Sequence, residues 1–302
     1  MIDIDAGEMD YATLFRRVKA ATADEREAQA VVRMILDVGM GISWADALCG
    51  RLDSLSPMEQ KRLEDIVRQV EEGQPVQYAL GRTAFCGRLF EVSPAVLIPR
   101  PETEELCRWV EAPPSVPKGS VVLDIGTGSG CIAITLALDL PQAEVEAWDI
   151  SSEALAVARR NAKRLGANVV FRQVDILALS ENPDTVASSP LGGVGWEACP
   201  YDMIVSNPPY ICEREQAEME PHVLDHEPHE ALFVPDNDPL LFYRTIALFA
   251  KHALKPSGKL YFEVNAQYAE AVRNLLLENN YQQVAIRKDA FGKPRFVRAS
   301  HQ

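Results

Sequence analysis

The segment VVLDIGTGSG, residues 121–130, decides the fold, because an apolar run leads directly into a glycine-rich turn. Residues 131–137 continue with an apolar helical pattern, so the order is strand, glycine turn and helix. The glycine spacing is G-x-G-x-G, whereas the dinucleotide fingerprint needs G-x-G-x-x-G and a Walker loop needs a lysine. Without Cβ atoms, these glycines let a cofactor approach the backbone closely. Asp124 can either fix the loop or contact a positively charged end of a ligand.

The next two predicted strands also end in acidic residues. Asp149 ends the run 145–149, where doubly wound folds place the acceptor for ribose hydroxyls. The alternative for Asp149 is a strand-end or capping residue. A third run, 169–174, precedes Asp175 and Ile176. This pair is placed to frame an adenine, with Asp175 accepting from the exocyclic amine.

The tetrapeptide Asn207-Pro208-Pro209-Tyr210 directly follows the apolar run 203–205, so we expect it at the C-terminal end of another strand. Open α/β sheets bind their ligands at that edge. Asn207 offers one acceptor and two N–H donors, and the prolines stiffen the backbone that carries the Pro208 carbonyl. Together they can hold a planar NH2 group, and Tyr210 adds an aromatic face. A Pro-rich turn after a strand is the alternative for the tetrapeptide alone.

These motifs together resemble the S-adenosylmethionine-dependent amino methyltransferases, a class that includes DNA adenine methyltransferases. Further segments are similar to release factor glutamine methyltransferases: GQPVQY at 73–78, FEVSPAVLIPRPETE at 90–104, and LKPSGKLYFE at 254–263. Glu227-Pro228 with Ala231-Leu232 continues the match. The sequence departs from that family at His226 and at Val264-Asn265, outside the glycine loop and the tetrapeptide.

The resemblance implies that S-adenosyl-L-methionine is the cofactor, with S-adenosyl-L-homocysteine as product. It also implies peptide chain release factors as the protein partner, methylated on the side-chain amide nitrogen of the Gln in their Gly-Gly-Gln motif. The tetrapeptide would be both catalytic and substrate-binding. We assign cofactor binding to the following residues: Asp124, Gly126, Thr127, Gly128, Ser129, Gly130, Asp149, Asp175, Ile176 and Asn207.

Arg100 and Glu102 precede the predicted catalytic core, and we assign both to substrate binding, where they would order the substrate loop. A local ion pair between the two side chains is the alternative. Two other functions remain open. Adenine methylation of nucleic acid shares the Asn-Pro-Pro-Tyr chemistry, and a non-catalytic module would bind the cofactor without turnover.

The composition is that of a soluble enzyme with more than one domain: 302 residues, 47% of them hydrophobic and 25% charged. The net charge of −14 opposes binding to phosphates, so we expect no stable nucleic-acid complex. No apolar run approaches the roughly 18 residues of a membrane helix, and the acidic first residues are unlike a signal peptide. We therefore expect a cytoplasmic protein without membrane contact, and a monomer.

Cysteine and histidine spacing gives no metal signature, so we predict that the protein holds no metal. The six cysteines are widely scattered, which favours reduced and mostly buried thiols. His222, His226 and His229 cluster in a Pro- and Glu-rich segment without cysteines at zinc spacing. We interpret that segment as a solvated loop.

The chain divides into three predicted parts. Residues 1–76 show helical periodicity and are predicted to form a small all-helical domain. Its apolar stripes either form only the core of this domain or also recognise the protein substrate, and we assign substrate recognition to it. Residues 77–98 form a β-hairpin linker. Residues 99–302 form the catalytic domain, an α/β fold with a doubly wound, Rossmann-like methyltransferase sheet that is mostly parallel and has an antiparallel last strand. Within it, residues 177–200 are predicted to be a surface insertion.

Overall fold

The computed structural model describes residues 9–112, 116–181 and 201–301. The chain divides into two compact units. The first comprises the described residues up to Thr83 together with Val92–Pro94 and Glu220–His226, and the second comprises the remainder. Among the described residues, no helix combines the length and the apolarity that crossing a membrane requires.

The first unit is helical, because its apolar residues recur at helical spacing and polar caps start its helices. Asp10, Asp24 and Ser43 accept from backbone N–H groups at three helix starts, and Ser56 with Glu59 forms a capping box at a fourth. A π-helical turn, Ile35–Met40, extends the second helix. The helices are α1 (Tyr11–Ala20), α2 (Glu25–Met34), α3 (Trp44–Leu48), α4 (Pro57–Glu71), α5 (Val76–Leu80) and, later in the chain, α10 (Pro221–His226). The predicted loop at His222 and His226 is therefore wrong: both lie in α10, whose first turn forms as the N–H groups of residues 223 and 224 donate to the carbonyl of residue 220.

The segment predicted as a β-hairpin linker is only partly extended. A hairpin is present, with β1 (Arg82–Phe85) and β2 (Arg88–Glu91). However, the prediction is wrong at its start, since residues 77–80 of the predicted linker, Tyr78 among them, belong to α5. Gly81 explains this, because its left-handed backbone and its N–H bonds to the carbonyls of α5 end a helix there.

The second unit contains a seven-stranded sheet with the order β10-β11-β9-β6-β3-β4-β5. Five neighbouring strands are parallel, whereas β11 runs antiparallel to both β9 and β10. The predicted Rossmann-like sheet with an antiparallel last strand is confirmed. The strands are β3 (Val121–Ile125), β4 (Glu144–Asp149), β5 (Val169–Gln173), β6 (Tyr201–Ser206), β9 (Leu254–Glu263), β10 (Gln282–Lys288) and β11 (Pro294–Ser300); a separate two-stranded sheet joins β7 (Ile211–Cys212) and β8 (Phe233–Val234).

Helices cover both faces of the large sheet, and successive strand residues point to opposite cores. Leu123 and Ile204 belong to one core, whereas Val122 and Val205 belong to the other. The helices of this unit are α6 (Pro101–Glu111), α7 (Cys131–Asp139), α8 (Ser152–Leu165), α9 (Ile176–Glu181), α11 (Leu241–Ala253) and α12 (Ala269–Glu278). Because α9 begins at Ile176, the first residues of the predicted insertion 177–200 are helical, and residues 182–200 lie outside the described ranges.

The strand order reverses beside β3, which positions the site. The chain passes from β3 to β4 and β5 on one side, and then returns to place β6 on the other side of β3. In open α/β sheets, ligands bind at such a switch point, outside the carboxyl ends of the strands. The glycine loop, Asp149 and Asn207 all follow strands that end at this edge.

Substitution of Gly130 tests how closely the glycine loop packs against the neighbouring helices. Its φ is +81°, and a Cβ there would lie 2.8 Å from Ile134 Cδ1 and 3.1 Å from Ala158 Cβ. We therefore expect Gly130→Ala to lower the free energy of unfolding by about 2 to 4 kcal/mol, through backbone strain plus overpacking. Gly119 is the control, since its φ is +78° and a Cβ added there would meet no atom within 4 Å among the described residues. Urea unfolding that shows equal losses for Gly130→Ala and Gly119→Ala would contradict this packing role.

Candidate active site

A cavity of about 530 Å³ lies at the switch point, within the size range of small-molecule sites. Residues from the carboxyl ends of four parallel strands line it. Trp148, Phe242 and Ile246 supply apolar walls, and backbone of the glycine loop supplies polar groups. The predicted site residues found in the lining are Gly126, Gly128, Asp149, Asp175, Ile176, Asn207, Pro208 and Pro209.

The remaining predicted residues lie outside this lining. Tyr210 is half-buried against the core of the second unit rather than at the cavity wall. Gly130 packs against α8, and Ser129 is buried. Asp124 and Thr127 are buried beneath the loop and contact each other. The glycine loop is therefore divided between residues that face the cavity and residues that support it.

Asp124 fixes the glycine loop. Its Oδ2 accepts from Thr127 Oγ1 at 2.7 Å and from the Ala133 backbone N–H at 3.2 Å, which ties the turn to the first residues of α7. Burial raises the pKa of Asp124 to about 7, against the lowering effect of these two donors. Of the two roles that the sequence left open for Asp124, loop fixation is the one with contacts in the structure.

Asp149 joins the end of β4 to the loop after β3. Its Oδ2 accepts from the Gly128 N–H at 2.8 Å, and its Oδ1 accepts from the Ser151 N–H at 2.9 Å. Burial raises the pKa of Asp149, and the backbone donors oppose that shift. The carboxylate thus combines a structural contact with a position at the cavity wall. Ser151 caps α8 through its side chain, where it accepts from the Ala154 N–H.

Asp175 has a local partner as well as a position in the cavity wall. Its Oδ1 accepts from the Leu177 N–H at 2.9 Å and from the Ala178 N–H at 3.3 Å, which caps α9. Its assignment to an adenine amine remains a prediction. Ile176 is buried and contributes to the apolar core behind the cavity.

Asn207 is held by a buried chain of hydrogen bonds that the sequence did not indicate. Its Nδ2 donates to Thr103 Oγ1 at 3.3 Å. The Thr103 hydroxyl donates to Glu263 Oε2 at 2.7 Å, and Tyr210 OH donates to Glu263 Oε1 at 3.3 Å. Thr103 and Glu263 are only 2% and 1% exposed, so the bond between these two side chains is shielded from bulk water. One buried carboxylate therefore connects the first and last residues of the tetrapeptide.

Arg100 does not form an ion pair with Glu102, which the sequence had left open as the alternative to substrate binding. Its guanidinium lies 2.5 Å from Oε1 of Glu227, whose side chain is 1% exposed. Glu227 Oε2 also accepts from the Ile98 N–H at 3.2 Å. This pair joins the segment before α6 to the segment after α10, because a carboxylate buried so deeply requires a charged partner. Glu102 is half-buried in the first turn of α6.

Three polar residues of this region were not predicted from the sequence: Thr103, Glu227 and Glu263. A signal existed for Glu263, because it ends an apolar strand at the same edge of the sheet as Asp149. Thr103 gave no such signal, since a threonine in a first helical turn is common. The apolar lining from Trp148 and Phe242 was also missed, because sequence alone cannot separate cavity walls from core.

The described residues contain no group of three His, Cys, Asp or Glu side chains that could hold a metal ion. Five cysteines in these ranges are free thiols. Cys107, Cys131 and Cys212 are buried, whereas Cys49 is exposed and Cys86 is half-buried. The sixth, Cys199, lies outside the described ranges.

Comparisons with known proteins agree with the fold. A family model described as a methyltransferase domain matches residues 117–264, and one described as a PrmC N-terminal domain matches residues 13–81. The protein is thus built as a methyltransferase with an additional helical domain.

Relatives named release factor glutamine methyltransferase match almost the whole chain. The protein of Bacteroides thetaiotaomicron is 45% identical over 91% of this chain and 93% of its own length. Those of Flavobacterium psychrophilum and Bacillus subtilis are each 38% identical, over 96% and 94% of this chain and 98% and 96% of their own lengths. The chain belongs to the release factor glutamine methyltransferase family.

The Arg100–Glu227 pair predicts a large loss of stability on truncation. Arg100→Ala leaves a buried carboxylate without its cation, so we expect the free energy of unfolding to fall by about 2 to 3 kcal/mol. Arg108→Ala is the control on α6, because the Arg108 side chain in its 2.6 Å pair with Glu104 is 61% exposed, and we expect a loss below about 1 kcal/mol. Urea unfolding of both variants measures the difference. Equal losses would show that the buried pair contributes no more than a surface pair.

Proposed function

We propose that this protein transfers a methyl group from S-adenosyl-L-methionine to the side-chain amide nitrogen of the Gln in the Gly-Gly-Gln motif of peptide chain release factors. Membership of the family supports the reaction class and the substrate. The observation that carries the proposal for the site is the orientation of Asn207, whose Nδ2 is engaged by Thr103. That leaves Oδ1 as a fixed acceptor on a residue that lines the cavity.

The cavity fits the cofactor by the chemistry of its lining. Gly126 and Gly128 bring backbone to the wall, and Trp148 supplies an apolar surface beside them. We propose that Asp149 accepts from the ribose hydroxyls and that Asp175 and Ile176 flank the adenine. When bound, S-adenosyl-L-methionine supplies a methyl group on a positively charged sulfur, an activated leaving group.

The residues of the tetrapeptide then have to orient a weak nucleophile, because the lone pair of an amide nitrogen is delocalised. We propose that Asn207 Oδ1 and the Pro208 carbonyl each accept one N–H of the target amide. Both oxygens would hold the nitrogen near tetrahedral geometry and stabilise the positive charge that develops on it. Alignment of the reacting atoms by such contacts can contribute several kcal/mol. The extra proton leaves to water, without a side chain assigned as general base.

The position of Tyr210 changes one detail of the sequence hypothesis. Its hydroxyl is engaged by Glu263 and its ring contacts the core, so its role in the proposal is to anchor the tetrapeptide. Arg100 and Glu102 are likewise proposed to bind the substrate by ordering the substrate loop, with Arg100 acting through its pair with Glu227.

The helical unit is proposed to recognise the protein substrate. It carries an open groove of about 750 Å³ that includes Arg26, Asp37 and Trp44, and the Arg33 guanidinium lies 4.8 Å from the Trp44 ring centroid. Arginine and tryptophan side chains are enriched among the residues that contribute most to binding in protein interfaces. We propose residues 1–76 as this recognition domain, 77–98 as linker and 99–302 as the catalytic domain, acting in the cytoplasm, where release factors work.

The function is tested with methyl-labelled S-adenosyl-L-methionine and three substrates: a release factor, its Gly-Gly-Ala variant and duplex DNA. Label only in the intact release factor is the expected result. Label in DNA alone would make the protein an adenine methyltransferase, despite its charge of −14. Cofactor binding without label in any substrate would indicate a non-catalytic module.

Asn207→Ala removes the proposed acceptor of the target N–H. We expect turnover to fall by about 10²-fold or more, because one stabilising contact to the developing charge is lost. Asn207 is only one of the residues assigned to the cofactor, so cofactor affinity should fall far less than turnover, and single-turnover methylation and calorimetry are measured together. Unchanged turnover in this variant would refute the role of Asn207.

Asp149→Ala should instead weaken cofactor binding. The change removes the proposed acceptor for ribose and also the bond to the Gly128 N–H. We expect the dissociation constant for S-adenosyl-L-methionine to rise at least about tenfold, measured by calorimetry. Glu153→Ala, an exposed carboxylate in the first turn of α8, is the control for charge alone. Equal affinity in wild type and Asp149→Ala would leave Asp149 only a structural role.

A further inference from the structure

We propose that Thr103 and Glu263 are positioning residues for Asn207, and that the direction of their hydrogen bonds determines which end of the Asn207 amide faces the target. The inference rests on the proposed function, because the acceptor end of Asn207 matters only if a target N–H binds there. It adds two side chains that act through Asn207.

The sheet register brings these residues together. Glu263 ends β9, and the parallel strand β6 lies beside it with Ser206 paired to Phe262. The next residues of the two strands are therefore Asn207 and Glu263, side by side at the carboxyl edge. Thr103, in the first turn of α6, lies between their side chains and bonds to both.

The direction of these hydrogen bonds follows from the number of protons that each group can donate. A hydroxyl has one proton, and an ionised carboxylate has none to donate. When Thr103 donates its proton to Glu263, its oxygen can only accept, so Asn207 must present Nδ2 to it. The amide oxygen then points the other way. An Asn amide rotated by half a turn has nearly the same shape, so packing alone does not select between the two orientations.

A protonated Glu263 would remove this selection. Its own proton could be donated to Thr103, whose hydroxyl would then be free to donate to Asn207 Oδ1 and to turn the NH2 group toward the target. The correct orientation therefore depends on the ionised form of Glu263. Loss of that form should lower turnover rather than cofactor affinity.

The groups around Glu263 place its titration inside an accessible range. Arg295 on β11 favours the ionised form, as do the donors Thr103 and Tyr210, whereas Glu102 on α6 opposes it. Tyr243 on α11 donates to the Glu263 backbone carbonyl and adds no charge. Burial dominates and raises the pKa of Glu263 to about 7. Since the ionised form is the competent one, turnover should fall as the pH decreases through this value.

The first test compares Thr103→Val with Thr103→Ser, using the full-length protein, S-adenosyl-L-methionine and an intact release factor. We expect Thr103→Val to lower kcat about tenfold, the scale of one lost hydrogen bond, with little change in KM or in cofactor affinity. Thr103→Ser keeps the hydroxyl and should retain kcat within about threefold. Thr135→Val is the matched control, because the buried Thr135 hydroxyl has no hydrogen-bond partner among the described residues. Equal kcat for wild type and Thr103→Val would overturn the proposal.

The second test uses the pH profile of kcat for wild type and Glu263→Gln. Wild type should lose activity below about pH 7, and Glu263→Gln should lack that acid limb, because a neutral amide does not titrate. An acid limb that survives in Glu263→Gln would show that another group produces it and would overturn the charge dependence. A wild type that binds cofactor but methylates no release factor would instead overturn the proposed function.

A third readout does not use activity. The side-chain NH2 signals of Asn207, assigned by NMR with an Asn207→Asp reference, report whether Nδ2 is hydrogen-bonded. We expect these signals to shift in Thr103→Val, to stay in place in Thr103→Ser, and to shift in wild type as the pH falls through about 7. NH2 signals that shift neither in Thr103→Val nor with pH would contradict the proposed control of Asn207 orientation.

Discussion

The parallel pairing of β4, β3 and β6 is the constraint on which the site depends. Ile125 pairs with both Trp148 and Ser206, so the three strands end level with one another. The glycine loop, Asp149 and Asn207 follow these ends, and a parallel sheet places all of them at one edge. A one-residue slip would exchange the faces of a strand and remove either the core contacts or the site. The apolar runs therefore determine the strand register, and the register determines which residues reach the site.

Burial of charge at this edge has a large desolvation cost, and the structure offsets it with specific partners. Glu227 has Arg100 and a backbone N–H, and Glu263 has two hydroxyl donors and the charge of Arg295. Asp124 has hydrogen-bond donors but no cation among its described contacts, and its pKa is raised. These carboxylates hold the segments that carry the site: the glycine loop, the start of α6 and the tetrapeptide. Preorganisation of this kind is what an orientation-based reaction needs.

Where the signal was local, the sequence predicted the strands of the sheet and several of the residues that line the cavity. The glycines of residues 121–130 directly indicated a turn after a strand. Asp149 and Asn207 each followed a clear apolar strand. The prediction was wrong at Tyr78, where Gly81 ends a short helix that periodicity over a few residues cannot reveal. Contacts across long separations were also missed. Thr103, Glu227 and Glu263 meet their partners only after the sheet and α6 pack together, and no pattern in one sequence encodes that pairing.

A crystal structure with S-adenosyl-L-homocysteine and a peptide containing Gly-Gly-Gln would decide whether Asn207 orients the target amide. We expect the target Gln nitrogen to lie within hydrogen-bond distance of Asn207 Oδ1 and the Pro208 carbonyl, with Asn207 Nδ2 still bonded to Thr103. A Gln side chain held by other residues, or an Asn207 that presents its NH2 group to the peptide, would contradict that role.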